Sequence, residues 1–395
     1  VQGDALLRPR INLQAGVSRI HNRQTGDLTP AASVLLPESS SGTASQASVQ
    51  LVQPLYDRTA AANRQQLREQ SVLARTQFKA SRQDLALRVA EVYFAVLVAE
   101  DTLRVVQAER DAVRSQRDRA QARFAVGQDR ITDVHEAQAR LDAVVTREVT
   151  AQSILELRRA QFRETIGVEP DQLTPLASNF VPRMPEPIAL SEWQMRGESR
   201  STQVLAKQSE LEIASAEISK HRLSGRPTLD LVASYGAKHQ RGSLSPLVAQ
   251  DGDRTGSIGV VLNVPLYAGG GLDSRQRESV ARLGQAQQNL AAARRDARLK
   301  VQEGYLSVST GVSRIAAQEQ ALTSAMSALE ATMAGRDVGT RTALDVLDAQ
   351  QRLFAAELDL VQGRADYLLG RLRLALASGD LDEESLVSLR PWLAH

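Results

Sequence analysis

Two aspartates in the second half of the chain have the spacing that places both carboxylates on one face of a helix. Asp345 and Asp348 are three residues apart, so their side chains would be neighbours on a helix surface. Repeated around a narrow opening, such a pair would attract cations, and mutual repulsion would raise the pKa of some carboxyls. From the spacing alone, a pair of solvated surface acids is the preferred interpretation.

The other residue types that carry out chemistry form no recognisable set. The five histidines are scattered without ligand spacing, and the chain has no cysteine, which excludes disulfides, cysteine metal sites and thiol nucleophiles. Gly269-Gly270-Gly271 lacks a nucleotide-binding pattern and is better explained as a bend between a strand and a helix. We therefore expect no catalytic activity, no cofactor and no bound metal.

Composition indicates long helices rather than a compact globular core. Aromatic residues make up 4% of the 395 residues, and the 48 basic and 46 acidic side chains are interspersed, as on solvated helix faces. A basic run with interleaved aromatics is missing from the sequence, so nucleic-acid binding is not expected. The sequence also contains no apolar run of the length that a transmembrane helix needs.

The chain contains an internal duplication. The tripeptide Pro54-Leu55-Tyr56 recurs as Pro265-Leu266-Tyr267, and a longer motif recurs at a constant offset of 212 residues. That motif is Val126-Gly127 followed by Asp133-Val134 in the first copy, and Val338-Gly339 followed by Asp345-Val346 in the second. We interpret the chain as one structural unit written twice.

Heptad spacing predicts a helical hairpin in each copy. Apolar residues at alternating intervals of three and four predict helices over residues 58–125 and 133–166 in copy one, and over 272–336 and 343–377 in copy two. Gly127 and Gly339 would form the hairpin tips, because a helix C-cap requires positive φ. The hairpins alone are equally well explained by an ordinary antiparallel coiled coil.

Two runs of alternating residues precede each hairpin and distinguish the chain from a simple coiled coil. They predict strands over residues 9–20, 48–56, 227–236 and 256–267, separated by long polar loops over 22–47 and 236–255. Strand length, apolar alternation and long loops are typical of membrane-spanning strands. Because four strands do not close a barrel and an open edge is not tolerated in lipid, the chain must oligomerise, as a dimer or a trimer.

The predicted organisation has four parts. Residues 1–166 form repeat 1, residues 167–197 a connecting segment, residues 198–378 repeat 2 and residues 379–395 a tail. Repeat 2 begins with a predicted helix over 198–223 that has no counterpart in repeat 1. We therefore expect a further helix and a signal peptide to precede Val1 in the native protein.

With these features together, the chain resembles the TolC family of outer-membrane exit ducts. The resemblance rests on the duplicated order of strands and helices, the Pro-Leu-Tyr strand ends, and the two tip motifs around Gly127 and Gly339. It implies a mainly α fold with β structure. In that fold, a homotrimer forms a long periplasmic α-barrel of coiled-coil hairpins and a 12-stranded transmembrane β-barrel in the lipid bilayer of the Gram-negative outer membrane. Residues 167–197 and the tail would form an equatorial belt.

The resemblance also implies partners and a function. Family members conduct substrates passively from an inner-membrane ABC transporter or proton-driven pump, through a periplasmic adaptor. The tip motifs are nearer the secretion and general-purpose branch, which favours type I protein secretion. The chain also resembles the duct that exports a large RTX toxin of the adenylate-cyclase type. Multidrug efflux is the alternative within the class, and a secreted coiled-coil filament protein of the flagellin type is the alternative outside it.

The resemblance assigns roles to residues near the tips. Asp345 and Asp348 become a selectivity ring at the entrance, and Arg341 becomes the gate arginine with Thr132 and Asp133 as its partners. Arg336 is also assigned to the periplasmic gate. Close members of the family carry an aromatic residue at this position, so the resemblance does not carry the second gate link over to this chain. The residues that would face the adaptor are Val126, Gly127, Val338 and Gly339.

Overall fold

The computed structural model describes residues 2–23, 39–171, 173–177, 179–243 and 250–394. The chain divides into two compact units. The first comprises Val1–Ala74 and Gln208–Asn289, and the second comprises Arg75–Lys207 and Leu290–His395. The units do not follow the sequence repeats, because each contains parts of both copies.

The first unit contains a four-stranded antiparallel sheet in the order β1-β2-β3-β4. The strands are β1 (Arg10–Arg23), β2 (Ser39–Tyr56), β3 (Thr228–Gly242) and β4 (Gln250–Asn263). The two copies meet at the β2–β3 pairing, where Val49 lies opposite Tyr235. Alternate apolar side chains are open to the surroundings, including Val17 and Ile258, each 77% exposed. The sheet therefore presents apolar side chains that the chain itself does not cover.

The strands extend further into the expected loops than the sequence predicted. β2 begins at Ser39 rather than near residue 48, and β3 continues to Gly242 rather than residue 236. β4 begins at Gln250 and ends at Asn263, ahead of Pro265, which has no N–H to donate to a ladder. Ser- and Gly-rich segments indicate loops, but ladder hydrogen bonds between backbones do not depend on apolar side chains. The remainder of the predicted loops, residues 24–38 and 244–249, lies outside the described residues.

Helices account for most of the chain. They are α1 (Gln2–Ala5), α2 (Arg58–Ala125), α3 (Ile131–Ile166), α4 (Leu190–Arg200), α5 (Thr202–Leu223), α6 (Gly271–Asp337), α7 (Ala343–Ser378) and α8 (Glu383–Val387), followed by a 3₁₀ turn at Arg390–Trp392. The fold is thus mainly α with β, as predicted. In the part of the chain that the structure describes, no helix is long and apolar enough to cross a membrane.

The helix predicted over residues 198–223 is two helices. α4 ends at Arg200 and α5 begins at Thr202, with Ser201 in an extended conformation between them. Gly379, at the end of α7, has a φ of 80°, and a Cβ built on it would lie 2.3 Å from the Arg200 carbonyl oxygen. The backbone of the tail therefore approaches the chain at this break, which the helical pattern of the sequence did not reveal.

The core of the second unit joins α6, α7, the segment after α3 and the tail. Val301, Val308 and Ile315, on the predicted heptad seam of α6, are fully buried. Tyr367 of α7 is also fully buried, and its ring makes edge contacts with Phe180 and Trp392. Its hydroxyl accepts a hydrogen bond from the Arg183 N–H and donates one to the Arg183 carbonyl, both 2.7 Å long. A buried tyrosine thus fixes the connecting segment against α7.

Candidate functional site

The two hairpin tips are built by the same backbone device. α2 and α6 end just before Gly127 and Gly339, whose φ values are 77° and 79°. A Cβ at either position would meet nothing within 4 Å, so the need for glycine is conformational rather than steric. The neighbouring Val126 and Val338 are 70% and 76% exposed. Each tip therefore presents one valine that no other part of the described chain covers.

Asp345 has a local structural role at the start of α7. The Thr342 N–H and hydroxyl donate hydrogen bonds of 2.8 and 2.9 Å to Asp345 Oδ2, and the Asp345 N–H donates one of 3.1 Å to the Thr342 hydroxyl. This reciprocal capping box satisfies helix N–H groups that would otherwise lack partners. Asp345 is therefore positioned by the helix end itself.

The same hydrogen bonds change the acidity of Asp345. The Thr342 backbone N–H and hydroxyl hold the pKa of the Asp345 carboxyl below its usual value of 3.8, and the Arg341 and Arg352 guanidinium groups act in the same direction. Within one chain, this direction is opposite to the rise expected from mutual repulsion in a carboxylate ring. Asp345 therefore carries a negative charge at neutral pH.

Asp348 is paired within the chain. Arg140 of α3 donates a hydrogen bond of 2.8 Å to Asp348 Oδ1, and both side chains are partly exposed. Close packing supports this contact, because Leu347, Ala137 and Val144 belong to one buried apolar cluster between the hairpins. Arg140, which was not predicted from the sequence, therefore compensates the charge of Asp348.

Arg336 forms the most enclosed ion pair near the tips. Its guanidinium lies 2.9 Å from Asp129 Oδ2, with the two side chains 9% and 15% exposed. A second, longer hydrogen bond of 3.4 Å runs to Oε1 of Gln116, a buried residue of α2. Arg336 lies in the last turn of α6, whereas Asp129 lies in the turn of the other hairpin. The pair therefore connects the two repeats.

Arg341 lies beside the tip, where its guanidinium helps to lower the pKa of Asp345, but among the described residues it forms no salt bridge. Its N–H donates to the Gly335 carbonyl at 3.2 Å, and its Cγ lies 2.8 Å from where a Cβ on Gly335 would be. Within the described residues, no ion pair joins it to Asp133, and Thr132 is exposed in the first turn of α3. The predicted contact of Arg341 with Thr132 and Asp133 is therefore not formed inside a single chain.

Three polar residues of the site were not predicted from the sequence: Asp129, Gln116 and Arg140. Gln116 carried a usable signal, because it falls on the buried seam of α2 with Val106, Glu109, Val113 and Ala120, where a polar residue needs a partner. Asp129 and Arg140 carried none, since a turn acid and a helix-surface arginine are ordinary in sequence. Their partners lie more than 200 residues away.

The chemistry of this site is electrostatic. Among the described residues, no group of histidines and carboxylates could hold a metal ion. Guanidinium–carboxylate pairs and a capping box fix helix ends relative to one another, and exposed carboxylates bias the passage of ions. The arrangement fixes the positions of the two tips within one chain.

The similarity of this chain to known proteins extends over nearly its whole length. The sequence model of the family described as "Outer membrane efflux protein" matches residues 1–168 and 197–380. The chain belongs to this outer membrane efflux protein family. Outer membrane protein TolC of Vibrio cholerae is 34% identical over 387 residues, which cover 98% of this chain and 85% of that protein. The predicted membership of the TolC family is thereby confirmed.

Two further relatives extend the comparison. Alkaline protease secretion protein AprF of Pseudomonas aeruginosa is 28% identical over 338 residues, covering 85% of this chain and 70% of that protein. The crystal structure of the outer membrane protein VceC from Vibrio cholerae has a TM-score of 0.76 at 20% identity, covering 96% of this chain and 88% of that chain. The latter likeness establishes the shared fold.

Membership of this family distinguishes between the two classes of protein considered from the sequence, a channel and a secreted filament protein. The chain is an outer-membrane efflux or secretion channel protein, located in the Gram-negative outer membrane. The alternative of a secreted coiled-coil filament protein is wrong, because the match covers the strands as well as the helices.

Proposed function

We propose that this chain is the protomer of a homotrimeric duct that exports protein from a type I secretion system. The observation that carries the proposal is the similarity to AprF, a protein named for alkaline protease secretion, over 85% of the chain. The tip motifs favour the same branch. The export of a toxin of the RTX class is the narrowest form of this hypothesis.

The sheet supports oligomerisation. Four strands with apolar, exposed side chains leave β1 and β4 as open edges, and open edges are not tolerated in lipid. Three copies would supply 12 strands and close the edges. The hairpins of three chains would continue the barrel as a helical tunnel, with the tips at its entrance.

The tip residues fit a gate whose links are partly internal and partly between protomers. Arg336 with Asp129 and Arg140 with Asp348 tie the two hairpins of one chain. Among the described residues Arg341 forms no such ion pair, which supports a contact with Thr132 and Asp133 of a neighbouring protomer. Asp345 and Asp348 of three chains would form the acidic ring, and the exposed Val126 and Val338 would meet a periplasmic adaptor.

The test uses a deletion strain of the source bacterium. We expect loss of one or more proteins from the culture supernatant, restored by the wild-type gene, with little change in antibiotic sensitivity. Affinity purification from wild-type envelopes should recover an adaptor and an inner-membrane ABC transporter. An unchanged set of secreted proteins together with increased drug sensitivity would contradict the proposal and favour multidrug efflux with a proton-driven pump.

A further inference from the structure

The second unit contains a cavity that the duct function does not use. It has a volume of about 840 Å³ and lies between residues 179–186 of the connecting segment, α4, α7 and the tail. A cavity of this size is in the range of sites for organic ligands. Its wall brings together the only two tryptophans in the sequence, Trp193 and Trp392.

The charge of the cavity wall is positive. Four arginines line it, against two carboxylates, which leaves an excess of two positive charges; the arginines are Arg183, Arg196, Arg200 and Arg371, and the acids are Glu186 and Asp380. Asp380 is shared by Arg196 at 3.9 Å and Arg200 at 3.4 Å. Within the described residues, no ion pair compensates Arg183 or Arg371. These two positive charges are therefore available to pair with a bound anion.

Two of the guanidinium groups are held in place by aromatic rings. Arg371 lies over the Trp392 ring at 4.8 Å and donates a hydrogen bond of 3.3 Å to the Tyr367 hydroxyl. Arg196 lies over the Trp193 ring at 5.2 Å. Stacking fixes the plane of a guanidinium and leaves its N–H edge available for bidentate contact with a carboxylate. The donors of the cavity are thus oriented before any ligand arrives.

Apolar side chains complete the wall beside these arginines. Val181, Met184, Leu389 and Pro391 line the same cavity, so a small inorganic anion would satisfy the charge and leave most of the volume and the apolar surface unused. We propose that this cavity binds an acidic peptide segment of a partner protein, with carboxylates on the arginines and an apolar side chain against the hydrophobic wall. This recognition is independent of the tips and of the exported substrate.

The two tryptophans make the proposal testable by their own fluorescence. The purified full chain in detergent is titrated with acetyl-Glu-Leu-Glu-amide, acetyl-Lys-Leu-Lys-amide and inorganic phosphate. We expect a saturable change in tryptophan emission with the acidic peptide alone, weakening as salt is raised because the contacts are ionic. No saturable change with that peptide would overturn the site. An equally strong response to phosphate or to the basic peptide would overturn the acidic-peptide assignment.

Variants separate recognition from folding. Arg371→Gln should weaken the peptide affinity by about tenfold, the effect of losing one charge-assisted hydrogen bond. Because Arg371 also contacts buried rings, Arg183→Glu provides a second test at an exposed position. It lowers the net charge of the cavity wall from +2 to 0 and should abolish the preference for the acidic peptide over the basic one. Arg88→Gln, an exposed arginine of α2 outside the cavity, is the matched control and should bind like the wild type. Wild-type affinity in Arg183→Glu would contradict the proposal.

Discussion

Arg336 at the end of α6 and Asp129 in the turn of the other hairpin form an ion pair 2.9 Å long that solvent scarcely reaches. In a largely enclosed setting, such a pair is worth about 1–3 kcal/mol, and removing one partner leaves the other charge unpaired. It connects the two sequence repeats near the hairpin tips. The pair is therefore the internal link that we expect to stabilise the tips.

Replacing Arg336 should loosen the tip of the first hairpin. Arg336→Met keeps the length of the side chain but leaves Asp129 unpaired, so amides of residues 123–130 should exchange with deuterium roughly tenfold faster. Arg123→Met is the matched control, because the Arg123–Asp337 contact is longer, 3.3 Å, and its acid is 74% exposed. Equal effects of the two variants would contradict a special role for Arg336.

The capping box at the start of α7 should make the thermal stability of the protein depend on pH. Because its folded-state pKa lies below 3.8, Asp345 contributes its stabilisation fully above that value and loses it as the pH falls through the lower folded-state pKa. Asp345→Ala should therefore unfold at a lower temperature than the wild type near neutral pH, and the difference should shrink in strong acid. A difference that stays constant in thermal scans from neutral to strongly acidic pH would refute this assignment.

Two glycine-to-alanine substitutions, one at a tip and one inside α6, should have opposite effects on stability. Gly339→Ala forces an alanine into positive φ and should destabilise the tip by roughly 1–2 kcal/mol, although its Cβ would meet no other atom. Gly284→Ala lies inside α6, also in open space but with an ordinary helical backbone. It should stabilise by about 0.5–1 kcal/mol. Thermal unfolding followed by circular dichroism distinguishes them, and a stabilising Gly339→Ala would be inconsistent with the turn geometry.

The sequence predicted the repeated helical hairpins and their turns. It did not predict features that depend on contacts between residues far apart in the chain. The hairpin turns at Gly127 and Gly339 follow from glycine and heptad spacing, and the family followed from the motifs around them. The extension of β2 to Ser39 was missed because its ladder is made by the backbone of a serine-rich segment. The pairs of Arg336 with Asp129 and of Arg140 with Asp348 were missed because their partners are set by packing of separate hairpins.

If the proposed acidic ring exists, one substitution should remove the preference for cations and another should increase it. In planar bilayers, Asp345→Ala combined with Asp348→Ala should abolish the preference for cations, because the entrance loses its negative charge. Arg140→Gln should increase that preference, since it removes the cation 2.8 Å from Asp348. Selectivity that is unchanged in the double variant, as judged by reversal potentials in a salt gradient, would exclude the ring.

The most direct test of the proposed gated channel is the single-channel conductance of the purified protein in planar bilayers. A trimeric duct gated at its tips should give discrete, cation-selective steps. Arg341→Ser should raise the conductance of each step, because the proposed contact with Thr132 and Asp133 of the neighbouring protomer is lost. Absence of discrete steps from the wild type would contradict the channel itself, and wild-type conductance in Arg341→Ser would contradict the gate.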